Sequence, residues 1–499
     1  MIGIATKQKV KRPRRLGAVS RSERKAELGQ VMTPPGIAKF MASLFAFESQ
    51  STVEVLDAGA GKGALSSAFI EEWEKQTGGQ APLHVIAYEV DSEMREHLQP
   101  FLDGCLHRVQ RHGVEIKADV LPHDFIQAVA NPFEFGNPGS FSHAILNPPY
   151  KKITGDSLHR AWLRDLGIET VNLYSGFVAV ALQLLKPGGQ LVAIIPRSFC
   201  NGPYYRMFRN MMLRNSVIAQ IHLFESRSEA FRGDGVLQEN VILKLVRGGR
   251  QGPVVISTSR DDSFGDYESR PVLFDEVVHA DDDEHFIRIP PTARVSEAAM
   301  PFGHPLSELG IQVSTGPVVD FRLKDYLLDR ATLNSVPLIY PCHFAAGNLR
   351  WPEGSAKKKC AILNVPETRR WLYPAGCYVV TRRLSSKEEA RRIVASVISS
   401  DSMPGYDWIG FENHLNVFHT AKNGLEEYMA RGLCAYLNST QVDRFFREFN
   451  GHTQVNATDL RKLPYPSVPQ LVKLGKRVAR RRRLSQEHVD SLVEKLHEG

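Results

Sequence analysis

Four consecutive residues of this chain combine groups that can make a weakly nucleophilic nitrogen react, and they are Asn147-Pro148-Pro149-Tyr150. The apolar run before them, residues 144–146, is typical of a short buried strand. Two successive prolines cannot continue a sheet ladder, and each fixes its φ angle at about −65°. The sequence therefore predicts a stiff loop at the carboxyl end of a strand, where open α/β sheets bind their ligands.

The chemistry suited to this loop is attack by an exocyclic amino group. The lone pair of such a nitrogen is delocalised, so the amine is a poor nucleophile until acceptors hold its two N–H groups. The side-chain oxygen of Asn147 and the carbonyl of Pro148 are such acceptors, provided that the fold holds them in advance at hydrogen-bond distance. Tyr150 adds a face on which a planar substrate can stack, worth ~1–3 kcal/mol per base. Taken alone, the four residues also fit an ordinary turn after a strand.

This loop needs a sheet to position it, and the first strand is predicted at residues 53–57, before a glycine-rich turn and a helix. The turn reads D-x-G-x-G-x-G, with Asp57, Gly59, Gly61 and Gly63. Glycines there allow a ligand to approach the backbone closely. No G-K-[S/T] follows, so the turn is not a Walker A loop. A carboxylate at the strand end suits a cationic ligand such as an ammonium group.

Two further strands are predicted to end in acids. Residues 85–89 form the second strand, and Glu89 is placed to accept both hydroxyls of a ribose. Residues 114–118 form the third, and Asp119 after them can accept from an adenine amino group, although a solvated turn residue fits equally well. Asp91 is predicted to cap the next helix. Three such acids in series, followed by the Asn-Pro-Pro-Tyr loop, are difficult to obtain by chance.

A helix start is predicted upstream of the first strand, in residues 28–35. Thr33 is a good N-cap and Pro34 suits the first helical position. Apolar residues follow at helical spacing. Taken alone, this stretch predicts a capped helix and nothing more.

Helices and strands continue to alternate after the Asn-Pro-Pro-Tyr loop, to a total of seven strands. This alternation predicts an α/β protein with a doubly wound, Rossmann-like sheet that carries helices on both faces. The loop 225–237 contains Phe231, which is either a second stacking face or a packing anchor. The later predicted elements are helix 173–185, strand 190–196, helix 204–214, and strands 217–224 and 240–246.

Length and composition predict a globular protein with two or three domains, since the chain has 499 residues and 42% hydrophobic residues. No apolar run reaches transmembrane length, and no h-region follows the basic N-terminus. The six cysteines form no C-x-x-C pair, so neither a disulfide framework nor a metal site is predicted. A cytoplasmic location is the expectation.

The positive charge is concentrated at the two ends of the chain. Residues 1–30 carry a net charge of +7 and residues 301–499 carry +8, which leaves about −8 for the middle, because the whole chain carries +7. This distribution predicts that the ends contact a polyanion, although a basic surface also solubilises a protein. The first 26 residues are predicted to be a basic arm, for which weak nucleic-acid attraction and disorder are equally good explanations.

From about residue 303 the sequence becomes aromatic and basic between short apolar strands, which is typical of a phosphate-contacting surface. The polar stretch 451–456 can offer amides to base edges, although an ordinary turn explains it equally well. The candidates for nucleic-acid contact are Lys357, Lys358, Lys359, Arg369, Arg370, Arg382, Arg383, Arg391, Arg392, Thr453, Gln454 and Asn456.

Taken in the order in which they occur along the chain, the motifs described above resemble those of the gamma-class DNA adenine-N6 methyltransferases of type II restriction–modification systems, such as the TaqI and PstI enzymes. Residues 451–465 also resemble the end of the recognition domains of that class. The stretches that carry the resemblance are Thr33-Pro34-Pro35, residues 57–63, Glu89, Asp119, Asn147-Pro148-Pro149-Tyr150 and residues 173–196.

The resemblance implies that S-adenosylmethionine lies over the loop 59–63, with the turn 30–35 closing the pocket. Glu89 would hold the ribose of this cofactor and Asp119 its adenine. The full set of implied cofactor-binding residues is Gln30, Thr33, Pro34, Asp57, Gly59, Gly61, Gly63, Glu89 and Asp119.

The resemblance also implies that a target adenine is flipped from duplex DNA, at a cost of a few kcal/mol. The adenine would stack on Tyr150, with Phe231 as the second aromatic, and would bond to Asn147 and Pro148. It would then receive the methyl group by in-line displacement, with no metal and no covalent intermediate.

The expected domains are a basic arm (1–26), a catalytic domain (27–248), a linker region with one or two strands (249–302) and a mixed α+β target-recognition domain with a basic tail (303–499). The expected partners are double-stranded DNA and, as a genetic rather than a physical partner, a cognate restriction endonuclease. No membrane is expected.

Two rival functions stay open. A protein-glutamine N5 methyltransferase also uses Asn-Pro-Pro-Tyr, but it does not need a basic C-terminal domain of this size. A catalytically inactive DNA-specificity protein is disfavoured because no expected catalytic residue is missing. A cytosine-C5 enzyme is rejected, since the only Pro-Cys pair, Pro341-Cys342, lies far downstream. The residues before the first motif are also too few for a fused nuclease domain.

Overall fold

The computed structural model describes residues 32–48, 51–111, 113–137, 139–224, 239–290, 302–345, 348–352, 358–385, 389–450, 453–480 and 485–496. The basic arm and three candidate residues, Gln30, Phe231 and Lys357, lie outside the described residues. The chain divides into two compact units, and the described residues up to Ile195 belong to the first and those from Pro196 onward to the second. The predicted domain boundaries near residues 248 and 302 stay predictions.

The first unit contains five parallel strands in the order β3-β2-β1-β4-β5. Helices alternate with these strands along the chain, as predicted. The strands are β1 (Val53–Ala58), β2 (Leu83–Tyr88), β3 (Ile116–Leu121), β4 (Phe141–Leu146) and β5 (Leu185–Pro196). The helices are α1 (Pro35–Ser43), α2 (Ala64–Thr77), α3 (Ser92–Val109), α4 (Phe125–Ala130), α5 (Pro132–Phe135), α6 (Leu158–Asp165) and α7 (Leu173–Leu184).

Burial explains why the sequence pattern predicts the inner strands more accurately than it predicts β3. In β1, β2 and β4 the last four residues of each strand are all buried, so the sequence is almost continuously apolar there. In β3, at the edge of the sheet, no residue is fully buried. The apolar pattern of β3 is therefore weak, and its bounds differ from the predicted 114–118.

The second unit begins with strands in the order β7-β6-β8-β9. β6 (Ser216–Phe224) pairs antiparallel with β7 (Asn240–Arg247) and parallel with β8 (Val254–Ser259), which pairs antiparallel with β9 (Glu268–Val272). The predicted linker therefore does contain two strands, but they extend a sheet. The strand count runs beyond the predicted seven.

The rest of the second unit is mixed α+β, as predicted. It contains sheets of four strands (β10-β20-β17-β18), five strands (β11-β15-β12-β19-β16) and two strands (β13-β14). The strands are β10 (Gln312–Thr315), β11 (Leu327–Leu328), β12 (Ser335–Ile339), β13 (Phe344–Ala345), β14 (Asn348–Leu349), β15 (Ala361–Leu363), β16 (Leu372–Pro374), β17 (Tyr378–Arg382), β18 (Ala395–Ile398), β19 (Trp408–Phe411) and β20 (Leu415–His419). The helices are α8 (Arg206–Asn215), α9 (Phe274–Val277), α10 (Glu427–Leu437), α11 (Thr440–Phe449), α12 (Ala457–Arg461), α13 (Val468–Ala479) and α14 (Gln486–Glu494).

The C-terminal helices and the four-stranded sheet share one hydrophobic core, which includes Phe418, Tyr436, Phe446 and Leu471. Within the described ranges, none of the helices combines the length and the apolar character that crossing a membrane requires.

Candidate active site

The candidate site lies at the carboxyl edge of the first unit's sheet. β1 has parallel neighbours on both sides, β2 and β4, so the ends of the three strands meet at one edge. Asp57 is the penultimate residue of β1, Glu89 directly follows β2, and Asn147 directly follows β4. The strand order changes direction at β1, and such switch points are where doubly wound sheets bind ligands.

The glycine-rich turn after β1 is tied to the end of β2 by backbone hydrogen bonds. The N–H groups of Gly59 and Ala60 both donate to the carbonyl of Tyr88, at 2.9 and 3.0 Å. Gly61 has a φ angle of 57°, in the left-handed region that glycine tolerates best. A Cβ atom on Gly59 or Gly61 would have one neighbour within 4 Å, at 3.9 Å in each case, so a ligand has room above these two residues.

Gly63 has a different role. A Cβ atom there would lie 2.8 Å from Leu98 and 3.0 Å from the ring of Phe101, both on α3. Gly63 therefore lies close against α3, and its φ angle of 82° also favours glycine, while its role toward the cofactor stays a prediction.

Asp57 is completely buried and carries an unsatisfied carboxylate oxygen. Its Oδ2 accepts a hydrogen bond from Oγ of Ser66 at 2.6 Å, while its Oδ1 has no partner. Burial raises the pKa of Asp57 to about 7, against the Ser66 hydrogen bond, and the charge of Glu89 raises it further. An unpaired, buried acceptor of this kind is costly unless a ligand satisfies it, and a cation is the ligand it suits best.

Glu89 holds the glycine turn and the start of α3 together. It is 3% exposed, and its Oε2 accepts from the N–H of Gly61 at 2.7 Å while its Oε1 accepts from the N–H of Asp91 at 2.8 Å. Burial raises the pKa of Glu89, and the two N–H donors partly oppose that effect. Asp91 caps α3 as predicted, since its side chain accepts from the N–H groups of Glu93 and Met94. Because an ionised carboxylate has about four acceptor sites, Glu89 retains capacity for hydroxyl groups.

Asn147 is held by hydrogen bonds on both sides of its amide group. Its Nδ2 donates to Oγ1 of Thr33 at 2.9 Å, and its Oδ1 accepts from the hydroxyl of Tyr150 at 3.2 Å. The same hydroxyl lies 3.1 Å from the carbonyl oxygen of Ile194 on β5, and burial raises the pKa of Tyr150 above its usual range. Pro148 is buried and Pro149 is half-buried, and the two proline rings restrict the backbone of the loop.

The predicted cap of α1 is wrong by one residue. Pro34, not Thr33, is the N-cap, and Pro35 takes the first helical position. The physical reason is that the Thr33 side chain bonds to Asn147, 114 residues away in the sequence, instead of to its own helix.

The predicted position of Asp119 at a strand end is also wrong. β3 continues to Leu121, and Asp119 lies inside it, opposite Ile86 of β2. Its carboxylate is 58% exposed, and its Oδ2 lies 2.6 Å from Nε2 of His84. The role of Asp119 toward an adenine ring stays a prediction.

Most basic candidates in the second unit already have internal partners. The structure corrects one of the predicted contacts, that of Arg392. Arg392 is 2% exposed and donates to Oδ1 of Asn450 at 2.7 Å, so it stabilises the fold and cannot contact a nucleic acid directly. Asn456 is the N-cap of α12, where its Nδ2 donates to Asp459, and its side chain is half-buried, so its contact with a base stays a prediction.

The other basic candidates are at least partly exposed. Arg369 and Arg370 are exposed and stack on the rings of Trp408 and Trp371, at 4.4 and 4.3 Å from the ring centroids. The remaining pairs are Lys358 with Asp320 at 3.2 Å, Lys359 with Asp329 at 2.8 Å, Arg382 with Glu389 at 2.6 Å, Arg383 with the carbonyl of Asn413 at 2.6 Å, and Arg391 with the carbonyl of Asn438.

The structure brings two predicted contact stretches together although about 70 residues separate them in the sequence. Leu384 forms a β-bridge with Gln454, and the N–H of Ser385 donates to the carbonyl of Thr453 at 3.0 Å. The side chains of Thr453 and Gln454 are exposed next to this junction. Both stay candidates for nucleic-acid contact.

Sequence reasoning missed two groups at the site. Ser66, which bonds to Asp57, lies nine residues after it and within the first turn of α2, so the spacing was a usable signal. The carbonyl of Ile194 is a backbone group of β5, and no residue type in the sequence could have indicated it.

Comparison with known proteins decides the family. The chain is 47% identical over 484 residues to the type II methyltransferase M.BsuBI of Bacillus subtilis, and the match covers 95% of this chain and 94% of that relative. It is 43% identical over 464 residues to the type II methyltransferase M.PstI of Providencia stuartii, with 91% and 90% covered. The chain belongs to the type II methyltransferases.

Two further findings agree with this assignment. The family model of the Eco57I restriction-modification methylases matches residues 95–231 of this methyltransferase. The solved structure of the type IIL restriction-modification enzyme MmeI in complex with DNA matches with a TM-score of 0.55 and 11% identity, over 93% of this chain and 70% of that one. At that identity the match concerns the fold alone. The predicted membership of the type II methyltransferases, the Rossmann-like methyltransferase fold and S-adenosylmethionine as methyl donor are confirmed.

Proposed function

We propose that this methyltransferase transfers a methyl group from S-adenosylmethionine to N6 of an adenine that is flipped out of duplex DNA, and so marks DNA against a cognate restriction endonuclease. The observation that carries the proposal is the fixed amide of Asn147, held between Thr33 and Tyr150 at the carboxyl end of β4. The match of residues 95–231 to the family model of restriction-modification methylases supports DNA as the substrate.

The cofactor supplies an electrophilic methyl group on a sulfonium, and the first unit's edge has the groups to hold it. Oδ1 of Asp57 lacks a partner and suits the ammonium group of the cofactor. Glu89, buried beside the glycine turn, has acceptor capacity for the ribose hydroxyls. Room for the ligand lies above Gly59 and Gly61.

The residues after β4 act on the target amine. Oδ1 of Asn147 and the carbonyl of Pro148 would accept its two N–H bonds and so free the nitrogen lone pair to act as the nucleophile. The cofactor would supply the electrophilic methyl group and leave as a neutral thioether. The methylated nitrogen would then lose one proton to solvent water and become neutral again. Since both acceptors are fixed before the substrate arrives, little reorganisation is needed in the transition state.

The exposed part of the second unit is proposed to contact the DNA. Arg369 and Arg370, stacked on tryptophans, present guanidinium groups suited to phosphates, and Thr453 and Gln454 present polar groups suited to base edges. The Lys/Arg side chains give affinity and salt dependence, whereas the polar loop contributes to sequence choice.

A single-molecule sequencing map of a methylation-deficient bacterial host that expresses this chain tests the proposal. We expect N6-methyladenine at every copy of one short sequence, and resistance of that DNA to an endonuclease that cuts the same sequence. An unmethylated map would contradict the proposal. In that case, label transferred from radioactive cofactor to host proteins would indicate the glutamine methyltransferase, and cofactor binding without any transfer would indicate an inactive specificity protein.

A further inference from the structure

We propose that Thr33 is a positioning residue for Asn147, in that its side-chain oxygen orients the Asn147 amide so that Oδ1 is the acceptor offered to the substrate amine. The sequence motif of Thr33 indicated only a helix cap and a cofactor pocket. The inference rests on the proposed function, because it assigns a second task to a residue at the same site.

The contact joins two parts of the chain that local structure does not bring together. Thr33 precedes α1, and Asn147 follows β4, 114 residues later, yet Oγ1 and Nδ2 lie 2.9 Å apart. Thr33 is half-buried and forms no cap with its own helix. Its hydroxyl oxygen is therefore available to accept a hydrogen bond from the amide.

The fold holds Thr33 firmly enough to orient another side chain. Pro34 and Pro35 follow it directly and restrict the backbone at the start of α1. One turn further, Ile37 and Met41 are completely buried and anchor the helix. A hydroxyl on such a stiff support keeps its position when the substrate binds, which is what preorganisation of an acceptor site requires.

The orientation of the amide decides whether Asn147 helps or hinders the reaction. With Nδ2 committed to Thr33, Oδ1 is on the opposite side of the amide, 3.2 Å from the hydroxyl of Tyr150. A phenol has one proton, and the carbonyl of Ile194 at 3.1 Å is an alternative acceptor for it. When that proton goes to Ile194, Oδ1 can accept from the incoming amine. If the amide group of Asn147 were flipped, its Nδ2 donor would face the incoming amine in place of the Oδ1 acceptor, and the two donors could not bond.

The test compares Thr33→Val, which removes the hydroxyl at nearly constant shape, with Thr33→Ser, which keeps it. Because one ordinary hydrogen bond is lost, we expect kcat of Thr33→Val at saturating cofactor to fall by about three- to tenfold. Thr33→Ser should recover most of the loss. The KM for S-adenosylmethionine should change by less than the fall in kcat. The assay uses the full chain, radiolabelled cofactor and a duplex containing the sequence that the wild-type protein methylates.

Ser43→Ala is the matched control, since it removes an exposed hydroxyl at the other end of α1 that bonds only locally, to the carbonyl of Phe40. It should leave kcat and KM unchanged, and thermal unfolding should give similar midpoints for all four proteins. An unchanged kcat in Thr33→Val with a raised KM for the cofactor would overturn the inference and leave Thr33 a cofactor-binding residue. Failure of the proposed function is distinguishable, because then the wild-type chain itself would produce no N6-methyladenine.

Discussion

Asp57 and Glu89 of the first unit and the basic candidates of the second unit were all predicted to bind ligands, yet their surroundings in the fold are opposite. Asp57 and Glu89 are buried, bond to N–H and O–H groups, and form no ion pair in the described part of the chain. In the second unit, Lys358, Lys359 and Arg382 each pair with a carboxylate.

Burial without a charged partner distinguishes a charged residue that is suited to bind a ligand from one that forms an ion pair within the fold. Burial raises the pKa values of Asp57 and Glu89 because a buried carboxylate without a cation is unfavourable, and this favours a role in ligand binding over a role in stability. Exposed ion pairs contribute about 0–1 kcal/mol each and are easily exchanged for phosphate contacts. A basic cluster in a sequence is therefore weaker grounds for a binding site than a buried, unpaired acid.

The largest effect is expected for Asn147→Ala, which removes an acceptor that is fixed before the substrate binds. The rate of methyl transfer should fall by about 10²–10³-fold, by analogy with the loss of one preorganised oxyanion-hole group. Affinity for S-adenosylmethionine, measured by calorimetry, should stay within a few-fold, because Asp57 and Glu89 are untouched. Near-normal activity would remove Asn147 from the mechanism.

A large loss of stability, with no direct effect on DNA contact, is expected for Arg392→Met. The variant leaves Oδ1 of Asn450 without the guanidinium donor at 2.7 Å. The free energy of unfolding should fall by about 2–4 kcal/mol, measured by urea denaturation. Arg370→Gln is the matched control, since Arg370 is exposed, and it should change stability by less than about 0.5 kcal/mol. Equal stability of the two variants would contradict the inference that the buried Arg392 stabilises the fold more than the exposed Arg370 does.

Cofactor affinity should depend on pH through Asp57. The ammonium group of the cofactor favours the ionised carboxylate, and the pKa of Asp57 is about 7. The affinity should therefore decrease as the pH falls below 7, by up to about tenfold per pH unit, because a proton must then be released on binding. The cofactor amine stays protonated in that range. Titration calorimetry checks this, and Asp57→Asn should bind more weakly with a flatter profile. An equally steep profile in Asp57→Asn would assign the titration to another group.

The smallest effects are expected for single exposed arginines of the second unit. Arg369→Gln should weaken binding to duplex DNA a few-fold and reduce the slope of log K against log salt concentration by about 1, as expected for the loss of one phosphate contact. Arg392→Met, compared at a temperature where it is folded, should leave the slope unchanged. If Arg369→Gln also left it unchanged, the DNA surface would lie elsewhere in the second unit.

The sequence by itself determined the family, the order of the motifs and the ends of the buried strands. Asp57, Glu89 and Asn147 were placed correctly at strand ends because each stands where a nearly continuous apolar run stops, and that is visible in the sequence. The proline pair after Asn147 marked its loop by local chemistry alone. These features depend on residues within a few positions of one another.

Tertiary structure decided what depends on partners far along the chain. The register of β3 is set by pairing with β2, so Asp119 fell inside the strand rather than at its end. Arg392 is buried among groups from other segments, which no local charge pattern reveals. The hydroxyl of Thr33 serves Asn147 instead of α1 for the same reason. A hydrogen bond or an ion pair is a property of two residues, and their separation in space is set only when the whole chain has folded.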